Sequence, residues 1–548
     1  MKIFRSLFLS LLLTSGLFSL HAQNERDALR HSYFGITGTA RAQGMAGAYS
    51  AVGADMTSAT LNPAGLGLYR SSSFTVSPGF ASTRTESNFF NQTADETLTS
   101  FYAPNMGVVF HGKSYYNNGR RREEKTYGLK SFAFGFGFNQ LERYDRRINV
   151  QAFNTESSIT DMFAERANNR NVEPDFLPAD SYEALAYDAF AIDLLANSAT
   201  QYFPAVNGGD VQQTLNFREE GYRNEWFVSL AGNIDDFIYL GFTLGFQTVR
   251  YEQNLYFEEN DVDNLHEFFE NDPNSNFPLE TPMNQIRFDD EFSTRGSGVN
   301  GQLGIIIRPA DPFRIGISVK SPTYFNLRDQ FSTTIGQNFT IELDNGQLAE
   351  QDESFSSTPG EFRYSLNTPF RATAGIMYLF GKNGFISADV DFTDYSAAQL
   401  DSDVDDFFVE NNRIENLYRQ TLNYRVGGEY RVGILRVRAG AALYGDPLED
   451  EAKQYLSAED FTTIEQISAE RKIFTLGLGI RQPNYFFDVS FINQLQEDKF
   501  NPYTVAATEI FSPTAANGPP GARHLRYSTD ALGLNLCAPC APHIAYYV

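Results

Sequence analysis

From residue 71 onward the chain alternates apolar with polar or small positions, in runs too short for helices. Phe132, Phe134, Phe136 and Phe138 are interleaved with Ala133, Gly135 and Gly137. A two-residue period puts the four rings on one face of a strand and the small residues on the other. The pattern returns at Leu240, Phe242, Leu244 and Phe246, opposite Gly241, Thr243 and Gly245. It returns again at Leu435, Val437, Ala439, Ala441 and Leu443, opposite Arg436, Arg438 and Gly440. In a water-soluble sandwich such an apolar face meets a second sheet; in a membrane barrel it meets lipid.

Connection lengths favour the barrel. Short turns are expected at Asn233–Asp236, Pro309–Pro312, Gly381–Gly384, Val432–Gly433 and Gln482–Asn484. Long polar connections are expected at 153–210, 259–284, 336–358, 399–416, 447–470 and 499–522. Tight turns on one side and long loops on the other mark an outer-membrane barrel, and the segments after Ser71 give about fourteen strands, an even number. The expected fold class is therefore all-β, a transmembrane antiparallel β-barrel over 71–548. The stretch holding Arg120, Arg121 and Arg122 falls on the short-turn side and reads as a solvated turn. In the longest connection, Asp180 followed by Glu183 reads as a helix start. A helical insert is expected over about 180–198, with Tyr187, Phe190, Ala191, Leu194 and Leu195 along one side. Tyr187, Phe190 and Leu194 then either pack over the barrel mouth or form a landing groove for an apolar ligand.

The ends and the composition narrow the class further. Lys2 and Arg5 precede an apolar run from Leu7 to Leu20, with Ala22 as a small cleavage residue, so 1–22 reads as a signal peptide. No later stretch approaches the ~20 apolar residues of a membrane helix. A mean hydropathy of -0.35 does not argue against a membrane barrel, because alternation hides the apolar face from an average. Aromatics at 14% and 42 glycines fit the same reading. A net charge of -25 excludes nucleic acid, which needs clustered Lys and Arg. The acidic residues concentrate in the connections, as solvated loops do. Asp401, Asp403 and Asp405 imitate a calcium loop, but Asp406 and Asn412 stand where glycine and glutamate are needed, so no metal is expected. Cys537 and Cys540 are the only cysteines; with His543 they lack a fourth metal ligand and miss the haem-attachment pattern. No cofactor is expected. Histidines are few and scattered, and neither a Gly-x-Ser-x-Gly elbow nor a His-Glu-x-x-His helix occurs, so the chain does not read as an enzyme. A membrane-embedded lipase or acyltransferase, with residues distant in sequence, is the catalytic alternative.

Between signal and first strand lie Gly44-Met-Ala-Gly-Ala-Tyr49-Ser and Asn62-Pro63-Ala64-Gly65. Further on come Arg314-Ile-Gly-Ile-Ser-Val-Lys-Ser-Pro322, Ser387-Ala-Asp389-Val-Asp-Phe-Thr-Asp394-Tyr-Ser396 and Arg425-Val-Gly-Gly-Glu429-Tyr430. In this order the features resemble the FadL/TodX family of outer-membrane transporters for hydrophobic compounds. The resemblance implies an N-terminal hatch, residues 23–70, inside the lumen, with Asn62, Pro63 and Ala64 as its motif. It implies passive uptake of compounds such as long-chain fatty acids or aromatic hydrocarbons in the Gram-negative outer membrane, among its lipid and lipopolysaccharide. Substrates are captured outside, and hatch movement opens a route toward a lateral gap in the wall. The chain departs from the pattern at its end, which is not an aromatic residue.

Alternation puts Lys320, Arg371, Arg425, Arg436 and Arg438 on the face opposite lipid, with Asp389, Asp391, Glu429 and Asp488. A fatty-acid carboxylate in an apolar pocket needs a cation, preferably arginine. Either one of the five anchors a headgroup, or all pair with the carboxylates and fill the lumen. Two other functions compete. Barrels similar to PorV share such a hatch and act as non-transporting shuttles for secreted proteins, with a secretion-system protein as partner. A general porin is the third, and the glycine-rich plug argues against it.

Overall fold

The computed structural model describes residues 25–538 apart from 91, 119–120, 196–197, 207, 269–280, 344, 405, 450–462, 483–484, 502 and 504–523. The expected signal peptide and Cys540 lie outside these residues.

One antiparallel sheet dominates, as the alternation requires. Sixteen of its twenty strands carry the main ladder: β1 (Ser73–Phe89), β2 (Gln92–Lys113), β3 (Leu129–Arg143), β4 (Val211–Ile234), β5 (Ile238–Asn260), β6 (Thr281–Ala310), β7 (Phe313–Lys320) and β8 (Tyr324–Glu342). They continue with β9 (Gly360–Asn367), β10 (Arg371–Leu379), β11 (Gly384–Asp394), β12 (Gln420–Val432), β13 (Leu435–Tyr444), β14 (Thr463–Arg481), β15 (Phe486–Asn501) and β16 (His524–Ala538). Sequence neighbours pair from β1 to β6. They pair again from β10 to β16. Between these stretches, β7 and β8 run in line along β6, facing β10 and β9 respectively. β16 pairs with β1 as well as with β15, so the ladder returns to its first strand.

The two faces differ as the period demands. On β5 the outward positions are apolar from Ile238 to Phe246, then Thr248, Arg250, Glu252 and Asn254. That apolar length matches the roughly 9–11 residues with which a tilted strand crosses a bilayer. The strand runs on to Asn260, well past the apolar band. Among the described residues, no helix is long and apolar enough to cross a membrane.

The tight turns at Asn233–Asp236, Pro309–Pro312, Gly381–Gly384 and Val432–Gly433 are present as expected. Three connections differ. Residues 336–358 are not a loop: β8 continues to Glu342, and Leu348–Ser356 pairs back along it. This hairpin is polar on much of both faces, so alternation does not expose it. The arginine-rich connection after β2 is a hairpin of Tyr115–Asn118 with Arg121–Glu124. The insert expected over 180–198 is helical only at Tyr182–Asp188, capped by Ser181 rather than Asp180. A longer helix, Ile159–Arg170, precedes it, with a capping box made by Ser158 and Asp161.

Ahead of β1, the chain forms four short elements: α1 (Glu25–Ser32), α2 (Ala40–Gln43), α3 (Ser58–Leu61) and a 3₁₀ turn at Pro63–Leu68. Residues 38–68 are almost entirely buried, against the inner faces of the sheet.

Candidate functional site

Asn62, Pro63 and Ala64 sit where the N-terminal segment meets β5 and β6. The Asn62 amide donates to Ser50 O at 2.7 Å and to Ile305 O of β6 at 3.2 Å, while its oxygen accepts from Ala64 N–H at 3.2 Å. Pro63 opens the 3₁₀ turn, where its missing N–H costs nothing. Two strand glycines permit this approach. A Cβ on Gly304 would lie 2.0 Å from Asn62 Oδ1, and one on Gly241 would lie 2.2 Å from the Pro63 carbonyl carbon.

A second anchor comes from β11. Asp389 accepts from Tyr49 N–H at 2.8 Å, Ser50 N–H at 2.9 Å and the Ser50 hydroxyl at 2.7 Å. A third is Arg41 with Glu429 of β12, at 3.1 Å.

All five cations expected on the inner face are buried. Three have close carboxylate partners. Arg425 meets Asp391 at 2.7 Å, Arg438 meets Glu429 at 2.7 Å and Asp488 at 2.5 Å, and Lys320 meets Glu225 at 2.8 Å. Arg436 donates to the Gly433 and Leu435 carbonyls near the turn, with Glu429 at 3.9 Å. Arg371 differs from the other four. Its guanidinium lies 3.9 Å from the Phe34 ring centroid, and no carboxylate of the described residues comes within 4.0 Å of it.

Phe34 is the centre of a cationic nest. Arg223 lies 5.1 Å and Lys320 5.3 Å from the same ring. Arg223 donates to the carbonyls of His31 and Tyr33, and Arg471 donates to Phe34 O at 3.1 Å. Arg471 also covers the Tyr33 ring at 4.8 Å. Among the described residues neither Arg223 nor Arg471 has a carboxylate within 4.0 Å, and the Nε of each lacks a hydrogen-bond partner. Glu142 borders Gly35 and offsets part of the charge. On the side away from residues 38–68, Phe325, Leu327, Tyr364, Leu366 and Tyr395 form an apolar cluster against α1. Arg223 and Arg471 are absent from the sequence expectation, although alternation against Trp226 and Phe474 puts both inward. Phe34 lies in a segment with no period and carries no such signal.

The candidates of the long connection are not brought together as one helical face. The helix ends at Asp188, Phe190 turns into the left-handed region at φ 61, and Leu194 lies in a short strand paired with Tyr202–Pro204. Tyr187 and Leu194 pack on the core of the loop region, while Phe190 meets Phe339 at 6.1 Å. The Ala191 N–H reaches back to Ala186 O at 2.8 Å, which stops the helix where the apolar spacing would continue it. A buried carboxylate organises the same region. Glu259, at the far tip of β5 beyond the apolar band, accepts from Ser158 Oγ at 2.5 Å, Ile159 N–H at 2.9 Å and Gln213 Nε2 at 2.7 Å. Burial pushes its carboxyl up to about 7, against these hydrogen bonds.

An apolar depression of about 650 Å³ lies elsewhere, lined by outward residues of β3 to β7 such as Phe132, Leu230 and Leu303. It lies in the apolar band and holds none of the cations. Among the described residues, no cluster of His, Cys, Asp or Glu has metal-binding geometry.

No protein-family model matches the chain, and no curated protein matches it in sequence. Solved structures do resemble it. A Pseudomonas aeruginosa FadL homologue aligns over 93% of this chain and 100% of its own, at 13% identity and a TM-score of 0.51. The toluene transporters TodX of P. putida and TbuX of Ralstonia pickettii align over 93% of this chain and 100% and 98% of theirs, at 9% and 14% identity. Their TM-scores are 0.46 and 0.43. At these identities the likeness is one of fold, and the first carries it. It is the fold that the Gly44–Gly65 pattern leads one to expect.

Proposed function

We propose that this chain is an outer-membrane transporter of the FadL/TodX type for passive uptake of hydrophobic compounds, and that its ligand is an amphiphile with an anionic head, such as a long-chain fatty acid. The sheet is read as a closed barrel. Counting the in-line pairs β7 with β8 and β9 with β10 as one stave each gives fourteen staves, and the pairing of β16 with β1 supports closure. The apolar band supports a place in the bilayer. Residues 23–70 are read as the hatch, with Asn62, Pro63 and Ala64 seated on β5 and β6.

The nest around Phe34 carries the choice of ligand. Three buried guanidiniums without an ion-pair partner among the described residues are costly, because an isolated buried charge is held only by a compensating one. A carboxylate entering beside Phe34 supplies that charge, and the Phe325–Tyr395 cluster supplies an apolar surface for a chain. An aromatic hydrocarbon uses only the second feature. The secretion-shuttle alternative gains no support from the solved structures.

The test is uptake of labelled oleate and toluene by cells that lack their own hydrophobic-compound channels. Arg371→Gln is expected to lower oleate uptake roughly 10- to 100-fold, as for a lost hydrogen bond to a charged group of ~1.5–3 kcal/mol, and to spare toluene. Equal loss of both ligands refutes the headgroup role. Absence of uptake of either by the unaltered protein refutes transport.

A further inference from the structure

The hairpin that β8 makes with Leu348–Ser356 ends the sheet on an open edge. β8 pairs with β6 on one side; on the other it pairs first with β9 and then, from Thr334 to Glu342, with Leu348–Ser356. The next stave stops short of this hairpin, since Gln399–Asp401 ladders to β9 only at Ser365–Asn367. Among the described residues, no strand pairs with the far side of Leu348–Ser356. The edge is clear of the apolar band. Tyr324 of β8 registers through Val299 with Phe246, at the band's outer limit, and Thr334 lies far beyond it.

Two hydrogen bonds fix which backbone groups the edge presents. Ser357 N–H donates to Thr333 O at 2.8 Å, and Leu343 N–H donates to Gln347 O at 2.8 Å. In an antiparallel ladder, residues that bond to the partner alternate with residues that do not. Odd-numbered residues therefore bond to β8, and Leu348, Glu350, Asp352, Ser354 and Ser356 turn their N–H and C=O to the open side. The same five residues are exposed. Such a row of donors and acceptors is a template for another strand. Sheet edges are ordinarily blunted by proline, lysine or a bulge. Leu348–Ser356 contains neither proline nor lysine, and its register with β8 is unbroken.

The charges here have one sign. Between Arg328 and Arg363 the chain carries seven carboxylates and neither Lys nor Arg. Arg287 of β6 reaches past Gly336 to Asp352, and Glu353 accepts from Gln351 at 2.8 Å. Among the described residues, Glu350 has no ion-pair partner. A second copy of the edge is a poor occupant, because two acidic rows would meet and like charges across a ladder are destabilising. A cationic strand gains at the same positions. Glu350 and Asp352 share one face, two residues apart, so the fitting strand carries Lys or Arg at alternate positions.

We propose that Leu348–Ser356 is a docking edge, and that an extended segment of another protein, with Lys or Arg at alternate positions, adds to it as a further strand of the sheet. Such docking is independent of transport and needs neither the nest nor the N-terminal segment.

The full chain in detergent is titrated with two labelled peptides of matching length, one alternating Lys with Thr and the other Glu with Thr. The Lys peptide is expected to bind at least about tenfold more tightly than the Glu peptide. Its affinity should fall with salt, and it should slow exchange of the Glu350, Asp352 and Ser354 amides. Ser354→Pro removes an N–H from the open side while keeping every carboxylate and every bond to β8. It is expected to weaken the Lys peptide at least about tenfold, which a merely electrostatic attraction would not do. Glu350→Gln leaves the backbone edge intact and should weaken it less. Absence of binding, equal affinity for both peptides, or Lys-peptide binding unchanged in Ser354→Pro overturns the docking edge. A chain that dimerises until Ser354→Pro dissociates it also overturns the proposal, because the occupant is then a second copy.

Discussion

Replacing Asp389 by alanine isolates the energy that seats the N-terminal segment on the wall. The carboxylate accepts from two consecutive backbone N–H groups and one hydroxyl, at 2.7 to 2.9 Å, with all partners buried. Each such bond to a charged acceptor contributes ~1.5–3 kcal/mol, and their sum is less than additive because one carboxylate serves all three. Breaking a buried charged cluster costs about 3–5 kcal/mol. The lower end applies here, since Arg425 keeps Asp391 at 2.7 Å when Asp389 is gone. Three kcal/mol corresponds to roughly a hundredfold shift in a local opening equilibrium. Amide hydrogen exchange reads that equilibrium directly. The Tyr49 and Ser50 amides are expected to exchange about a hundredfold faster in Asp389→Ala, and the Ala133 amide in the β3 ladder to be unchanged. Asp389→Asn keeps one acceptor oxygen and falls between. Unaltered protection of Tyr49 and Ser50 would show that the segment is held elsewhere and would refute the reasoning.

Two further outcomes follow from the packing and the charges. Gly304→Val puts a side chain into the space of Asn62 Oδ1, and such overpacking costs ~1–3 kcal/mol; thermal unfolding in detergent should drop, while Gly301→Ala, whose Cβ would meet only the Phe242 ring at 3.9 Å, should leave it nearly unchanged. Glu259 has its carboxyl raised to about 7, so the folded state holds its proton more tightly than the unfolded one. That contribution is complete below about pH 4.3 and is lost as pH rises through about 7. Protection of the Ile159–Arg170 helix should therefore fall between pH 5 and 8, and Glu259→Gln should flatten the dependence; equal slopes in both proteins would rule it out.

The parts of the fold legible in the sequence are those where the two faces of the sheet impose opposite chemistry on adjacent residues. Phe132 to Phe138 are read correctly because every second position meets the same surroundings. The hairpin of Leu348–Ser356 is missed because it stands beyond the apolar band, where both faces meet water. The Ile159–Arg170 helix is missed for a smaller reason: its capping box closes with Asp161 in place of the commoner Glu or Gln. The inner cations are assigned to the right face, but their sorting into paired and unpaired depends on contacts between strands far apart in the chain. Lys320 finds Glu225 while Arg371 finds none among the described residues, which no local pattern encodes.

The length of β5 past Phe246 has a consequence for encounter. Fourteen more residues at ~3.3 Å each, on a strand tilted by about 40°, carry the rim of the proposed barrel roughly 35 Å beyond the edge of the apolar band. An amphiphile reaching that rim comes from dilute aqueous solution and not from the bilayer surface below. Occupancy is then governed by free monomer, and raising total oleate above its micellar limit adds no driving force for entry.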